Sequence, residues 1–177
     1  MVQSDIIVRK ANLDDLKRVE EACQVINQAY RTKGGWTTED FVNGQRLTEQ
    51  DMIPFIEKNG TPYTLLFAMD SDQIVGTIQI QPLNNGTEAE IGLFSVSPTQ
   101  QSRGIGGKLV QAALLEMKKM KFTNAVMRVL ENRPEILTWY RKLGFLETGE
   151  RAPFVWPEKL QIPGLQFLVL KKSLQDL

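Results

Sequence analysis

The chain contains no histidine and a single cysteine, Cys23. These absences remove Ser-His and Cys-His nucleophilic machinery, histidine metal sites and thiolate zinc sites. Any general base must be a carboxylate, a lysine, a tyrosine or water. An internal disulfide is excluded as well, and a lone cysteine suits a reducing compartment. Neither sign of charge is in surplus, since Lys plus Arg and Asp plus Glu both number 21. That balance weighs against nucleic acid as the main partner, because such binding draws on excess cations. No apolar run approaches the ~20 residues of a membrane helix. The opening M-V-Q-S-D-I-I-V-R-K lacks the cationic start and apolar core of a signal peptide. The expectation is a soluble, cytoplasmic protein with neither a nucleic-acid nor a membrane partner.

What is present is an ordinary globular pattern. At 177 residues the chain is expected to form one domain over residues 1–177, large enough to fold around its own core. Ile6–Arg9 reads as a strand, and from Asn12 the spacing of Leu13, Leu16, Val19, Ala22 or Cys23, and Ile26 predicts a helix. Gly34-Gly35 breaks it, and Thr37-Thr38-Glu39-Asp40 reads as the next helix start. Tyr63–Met69 and Ile74–Gln81 predict a hairpin, followed by a strand over Glu88–Val96 and an amphipathic helix over Ile105–Met120. A strand over Ala125–Leu130, a short helix from Pro134 to Leu143 and strands from Phe145 and over Leu165–Lys171 complete the chain. The order β-α-α-β-β-β-α-β-α-β-β implies an α/β (α+β) fold with one mixed sheet and helices on both faces.

The most informative stretch is Ser97–Leu109, S-P-T-Q-Q-S-R-G-I-G-G-K-L, between a strand and a helix. It is not a P-loop: Ser102 and Leu109 stand where G-x-x-x-x-G-K-[ST] requires glycine and a hydroxyl residue. It is not a dinucleotide fingerprint either, because Leu109 stands at the third glycine of G-x-G-x-x-G. What remains is Q-x-x-G-x-G at Gln101, Gly104 and Gly106. Positions without side chains let the backbone approach an anion, and the following helix turns its first N–H groups toward it. From the loop alone, glycines that merely permit tight packing are an equal alternative.

The flanking residues carry a specific resemblance. E-I-G-L-F-S-V-S-P-x-x-Q-x-R-G-x-G-G-K-L, from Glu90, and V-L-E-N-R-P-E-I-L-T-W-Y-R-K-L-G-F, Val129–Phe145, resemble the acetyl-CoA-binding core of the GNAT family of N-acetyltransferases. The resemblance implies the GNAT fold, in which the fourth and fifth strands splay and the pantetheine arm lies in the gap. Phe94, Ser95 and Val96 would then pair with that arm, with the Phe94 N–H polarising the thioester carbonyl. The pyrophosphate would rest on the backbone of Gln101, Ser102, Arg103, Gly104, Ile105, Gly106 and Gly107, with charge from Arg103 and Lys108, whose other reading is a solvated helix start.

The same resemblance implies Glu90 as general base and Tyr140, four residues before Gly144, as the acid that protonates the departing thiolate. Asn132 matches an asparagine that contacts the cofactor, although Arg133-Pro134-Glu135-Ile136 departs from the family's usual continuation. Each has a plainer reading: a solvent-facing glutamate, a core aromatic, a helix cap. Cys23 reads as a buried structural thiol, so direct transfer in a ternary complex is expected, without an acyl-enzyme. The acceptor site is implied between roughly Tyr30–Phe55 and Arg151–Gly164. Trp36, Phe41, Phe154 or Trp156 are its candidate walls, and Glu39, Asp40, Glu49 or Asp51 its candidate attractors for a cation.

The expected partners are acetyl-CoA, as co-substrate without a metal, and an amine acceptor. A small primary amine leads, a protein lysine or N-terminal amine and a non-catalytic sensor follow, and the resemblance leaves room for a homodimer.

Overall fold

Hydrophobic periodicity and capping account for each element in the computed structural model of the chain, which describes residues 5–33 and 38–177. Strand β1 (Ile6–Lys10) leads into a 3-10 segment, Leu13–Arg18, that runs on into α1 (Val19–Arg31). Asn12 starts this unit. Its side chain accepts from Asp14 N while the Asp15 carboxylate accepts from Asn12 N, a reciprocal cap. Asp15 is buried and takes both ends of the Arg9 guanidinium at 2.8 Å, which ties the helix start to β1.

Helix α2 (Glu49–Glu57) follows, then β2 (Thr64–Asp70), β3 (Gln73–Pro82), β4 (Glu88–Val96), α3 (Ile105–Lys119), β5 (Asn124–Leu130), α4 (Pro134–Lys142), β6 (Leu146–Pro153) and β7 (Gln166–Ser173). The element order expected from the sequence is therefore the observed one, with one correction. The helix start read at Thr37–Asp40 is not there: Thr38 to Leu47 carries no helix, and α2 begins after Thr48. Gly34, Gly35, Trp36 and Thr37 lie outside the described residues. Both Thr37 and Thr48 open a T-x-x-D pattern, but only Thr48-Asp51 precedes apolar residues at helical spacing, Met52 and Ile56, and it forms the capping box. After Thr38 the chain meets Asn43-Gly44, with Gly44 at φ +84°, which ends any helix before it forms.

The seven strands lie in the order β1-β2-β3-β4-β5-β7-β6. Every neighbouring pair is antiparallel except β4 and β5, which run parallel. Helices α1 and α2 cover one face, where Ala22, Ile26, Met52, Ile56, Phe67 and Leu93 pack together. The other face is covered by α3 and α4, with Ile105, Leu109, Met117, Phe145 and Leu170 buried against it. β2 and β3 are buried on both sides, so they read as nearly continuous apolar runs in the middle of a two-faced sheet.

Candidate active site

The site begins where the sheet opens. β4 and β5 pair only at Glu88↔Asn124, Ala89↔Ala125 and Glu90↔Val126. Beyond Glu90 the strands part, and the β5-facing edge of β4 has no strand partner from Ile91 to Val96. A bulge accompanies the parting: Thr77 faces Ser95 and Gln79 faces Gly92, so Leu93 and Phe94 together oppose Ile78. Leu93 sits at φ +44°, a conformation that costs a leucine free energy and persists only where the surroundings enforce it. They do so through Thr77 Oγ1, which donates to Leu93 O at 2.6 Å and lies 2.6 Å from Ser95 Oγ. The Ser95 hydroxyl is thus a structural partner of the bulge.

The bulge overturns a simple reading of β4. Period-two alternation places Glu90, Gly92 and Phe94 on one face. In the structure the extra residue reverses the phase, so that Ile91 and Phe94 both face α3 while Leu93 faces α1. Glu90 and Phe94 consequently stand on opposite sides of the opening.

Three cavities surround it. A groove of about 370 to 380 Å³ lies on each side of the sheet. On the α3 side it runs along Val96, Gln100–Ser102, Gly104–Gly107, Trp139 and Leu143 (≈ 380 Å³). On the α1 side a cleft of ≈ 370 Å³ is lined by Glu90, Arg128, Tyr30, Glu39, Arg46, Phe154 and Trp156, among others. Between the strands lies a gap of ≈ 70 Å³, lined by Phe94, Ile136 and Tyr140, which opens onto the cleft through the shared residues Tyr30, Glu39, Gly92 and Arg128.

The α3-side groove has the chemistry of an anion cradle. Gly104, at φ +74°, is the N-cap of α3 and supplies no side-chain cap, which leaves the first N–H groups of the helix to a ligand. A Cβ at Gly107 would meet nothing within 4 Å, whereas one at Gly106 would lie 3.3 Å from Phe94 Cζ. Gly106 is therefore also a packing glycine. Three buried polar atoms have no hydrogen-bond partner among the described residues, Gln79 Nε2, Gln101 Nε2 and Asn132 Oδ1, and Gln101 lines this groove. Orphaned polar atoms of this kind cost stability unless something completes them, and Gln101 and Asn132 are residues expected to contact a cofactor. Arg103 and Lys108 do not line the groove. Arg103 donates to Asp70 Oδ2 at 2.7 Å and Gln100 Oε1 at 2.6 Å, and the nearest partner of Lys108 Nζ is Ile6 O at 3.5 Å. In this structure their charge is aimed elsewhere.

An aromatic stack separates groove from gap. Trp139 lies parallel to Phe94 at 6.0 Å, and Tyr140 meets Trp139 edge-on at 5.2 Å and Phe145 at 6.0 Å. Only 5 % of Tyr140 is exposed. Burial, with Tyr30 and Glu39 adding to it, raises the Tyr140 hydroxyl well above its ordinary value, so it holds its proton. Burial likewise pushes Tyr30 up to about 12, and the Phe94 N–H points at its hydroxyl oxygen. The amide expected to polarise a carbonyl thus already faces an oxygen.

Glu90 sits at the cleft end, 3.3 Å from Arg128 Nε. Burial raises its carboxyl above the usual range, and Arg128 opposes that rise. Glu39 is raised by burial too, against Arg46, Arg31 and Arg133. Cys23, 6 % exposed, is pushed up to about 11 by burial, with Glu49 and Asp51 adding to the shift, which leaves it inert as a nucleophile.

Of the acceptor candidates, Phe154, Trp156, Glu39 and Asp51 line the cleft, while Trp36 lies outside the described residues. Phe41, Asp40 and Glu49 do not line it, and Phe41 packs in a side cluster with Val42, Leu130 and Phe154. The lining also holds residues not singled out from sequence, among them Tyr30, Arg31, Arg46, Arg128 and Lys159. Arg128 had a signal, as the one charge inside the apolar run A-V-M-R-V-L. Tyr30 falls on the apolar stripe of α1 and reads as core. Among the described residues no group of three or more acidic, cysteine or histidine side chains could hold a metal, and no helix is long and apolar enough to cross a membrane.

Residues 17–145 match the acetyltransferase (GNAT) family. The mycothiol acetyltransferase of Geodermatophilus obscurus is 26% identical over 118 residues, 64% of this chain but 35% of that protein, so the chain spans about a third of that relative's length. An N-acetyltransferase from Staphylococcus aureus Mu50 superposes with a TM-score of 0.75 at 16% identity, over 97% of this chain and 100% of its own. The yncA protein of Salmonella typhimurium, solved with its cofactor acetyl-CoA, gives 0.74 at 17% identity over 97% and 95%. At such identities these structures share the fold.

Proposed function

Because the chain belongs to the acetyltransferase (GNAT) family, we propose that it transfers an acetyl group from acetyl-CoA to the primary amine of a small molecule, directly and within a ternary complex. The observation that carries this reading is the opening between β4 and β5, with a glycine-lined groove on one side, a buried phenol at the opening and a carboxylate in the cleft on the other. When bound, acetyl-CoA supplies an acetyl thioester, the acyl donor.

The remaining roles belong to this chain. The N–H groups from Gln101 to Gly107 and the unpartnered Gln101 Nε2 would hold the diphosphate. The open edge of β4 at Phe94–Val96 and Asn132 Oδ1 would hold the pantetheine arm. Glu90 takes the proton from the incoming ammonium at its carboxylate, directly or through water. Its burial suits the task, since a base works best with a pKa drawn toward the operating pH. Arg128 keeps the carboxyl from losing its charge altogether. Tyr140 keeps its proton at Oη and donates it within the gap. The Phe94 N–H faces the Tyr30 hydroxyl oxygen at this opening, and a carbonyl oxygen taking that oxygen's place would accept from the same N–H.

A small acceptor is favoured by how the cleft is bounded. The segment before α2 is laced to the β6–β7 loop, with Val42 bridging Leu160, Asn43 N donating to Lys159 O at 2.8 Å and Gln161 N to Phe41 O at 2.7 Å. This strap lies beside Val42, Trp156 and Lys159 of the lining and limits the length of a peptide that could cross.

The test is release of free CoA from acetyl-CoA across a panel of small amines and peptides, with thermal shift by acetyl-CoA measured in parallel. Release with small amines is the expected result. Release only with peptides would point to a protein acceptor, and a thermal shift without release on any amine would leave a sensor.

A further inference from the structure

The charges lining the cleft do not cancel. Four cations face it, Arg31, Arg46, Arg128 and Lys159, against three carboxylates, Glu39, Asp51 and Glu90. Arg128 is paired with Glu90 at 3.3 Å. Arg31 lies 3.9 Å from Glu39 and donates to Gly44 O at 2.7 Å. The Asp51 carboxylate is taken by Thr48, whose hydroxyl donates to it at 2.7 Å and whose N–H donates at 3.1 Å, in the cap of α2. Arg46 shares the Glu39 charge with Arg31. Among the described residues its guanidinium makes no hydrogen bond and no ion pair at contact distance. It has instead two aromatic faces, Tyr30 with its ring centroid at 5.3 Å and Trp156 at 5.9 Å. Lys159 Nζ lies 5.2 Å from the same Trp156 ring.

This arginine is built into place. Asn27, on α1, fixes the backbone beneath it: Asn27 Oδ1 accepts from Arg46 N at 2.7 Å and Leu47 N at 3.1 Å, and Asn27 Nδ2 donates to Leu47 O at 2.8 Å. Aromatic rings take up the faces of a planar guanidinium and leave its N–H edges for in-plane, bidentate acceptance by a carboxylate. A half-buried cation with unused donors is costly until an anion completes it. A bare ammonium entering the cleft would bring positive charge to an already positive lining, whereas a zwitterion brings its own counter-charge.

We infer that Arg46 binds the carboxylate of the acceptor, and that the acceptor is an amino acid whose amine is turned toward Glu90. The inference rests on the acetyltransferase reading of the site. The walls formed by Val42, Phe154, Trp156 and Phe167 suit an apolar or aromatic side chain. Lys159 adds a second, more flexible positive charge at the same end.

The experiment pairs each amino acid with its decarboxylated amine: leucine with 3-methylbutylamine, and phenylalanine with phenethylamine. CoA release is measured with wild type, Arg46→Gln and Arg46→Lys. The expected kcat/KM favours the amino acid by at least about tenfold. Arg46→Gln lowers kcat/KM for the amino acid by about 10- to 100-fold, the range of one charge-assisted contact, chiefly through KM. The amino-acid preference then shrinks toward unity, and Arg46→Lys restores part of it. A thermal shift by acetyl-CoA reports whether each variant is folded. If Arg46→Gln shows none, the wild-type pairs decide alone.

Decarboxylated amines that equal or exceed the amino acids overturn the inference, as does an Arg46→Gln variant that loses both substrates equally. Both results leave the acetyltransferase reading standing. No CoA release from any amine or amino acid, with the acetyl-CoA shift intact, removes that reading and the inference with it.

Discussion

Replacing Tyr140 by Phe removes one oxygen from a buried site and separates catalysis from stability cleanly. Among the described residues the hydroxyl of Tyr140 makes no hydrogen bond, and its ring contacts with Phe94, Trp139 and Phe145 are all retained by phenylalanine. The substitution orphans no partner and opens no cavity larger than one oxygen, so stability should change by less than about 1 kcal/mol. The groove proposed to hold acetyl-CoA lies on α3 and on the far side of Trp139, and acetyl-CoA affinity should stay within about twofold. Turnover is different. A positioned general acid contributes about 10²- to 10⁴-fold. The low end applies here, because Tyr30 lines the same ≈ 70 Å³ gap and also stays protonated. The expected loss is roughly 10²-fold in kcat, about 2.7 kcal/mol of barrier. Steady-state CoA release at saturating acceptor measures it, with calorimetric titration of acetyl-CoA as the control. The double variant Tyr30→Phe/Tyr140→Phe should lose more than either single one. A Tyr140→Phe enzyme within about threefold of wild-type kcat would refute Tyr140 as the acid.

Other outcomes follow from the same structure. The raised Glu90 carboxyl is protonated at higher pH than an ordinary glutamate, so wild-type kcat/KM should fall as pH drops through that raised value. Glu90→Gln should cut the rate about 10²-fold near neutral pH and flatten this acid limb, and a limb that persists would assign the base elsewhere. Gly107→Ala adds a Cβ to open space at ordinary backbone angles, so it should stabilise α3 by up to about 1 kcal/mol. The same methyl points where the cradle must admit an anion, and acetyl-CoA affinity should drop; a melt that falls together with affinity would contradict the geometry. Asp15→Asn removes the bidentate partner of Arg9. Since Arg9 keeps access to water, the cost should be about 2 kcal/mol, or about 4–8 °C in Tm. Burial works to raise the Asp15 carboxyl, but Arg9 and the Asn12 N–H outweigh it and hold it below the usual range. Its stabilisation is therefore present above the ordinary carboxylate pKa and lost as pH falls through the lowered one. The melting difference between wild type and variant should narrow in acid.

Local chemistry made much of this protein readable as a string. Strand and helix alternation follows from side-chain period, and β4 and α3 begin where the residues say they should, at Glu88 and Ile105. Glycine at 104, 106 and 107 beside Gln101 leaves backbone N–H groups accessible to an anion, because that access is a property of the residue itself. Even so, two T-x-x-D starts competed before α2, and only the apolar spacing after Thr48 resolves them.

What the tertiary structure decided is everything that depends on which side of a strand faces which neighbour. One bulged residue, Leu93, reverses the phase of β4 and puts Glu90 and Phe94 on opposite sides of the sheet. Arg103 and Lys108, cations in the cradle by sequence, are drawn off by Asp70 and by the backbone of β1. Tyr30, Arg46, Arg128 and Trp156 come from α1, the segment before α2, β5 and the loop before β7, and they share one cleft only because the splayed sheet brings those segments together. A donor handle such as the glycine loop can be written in a few consecutive residues. A cleft assembled from long-range contacts has no such signature, because its residues are neighbours in space alone.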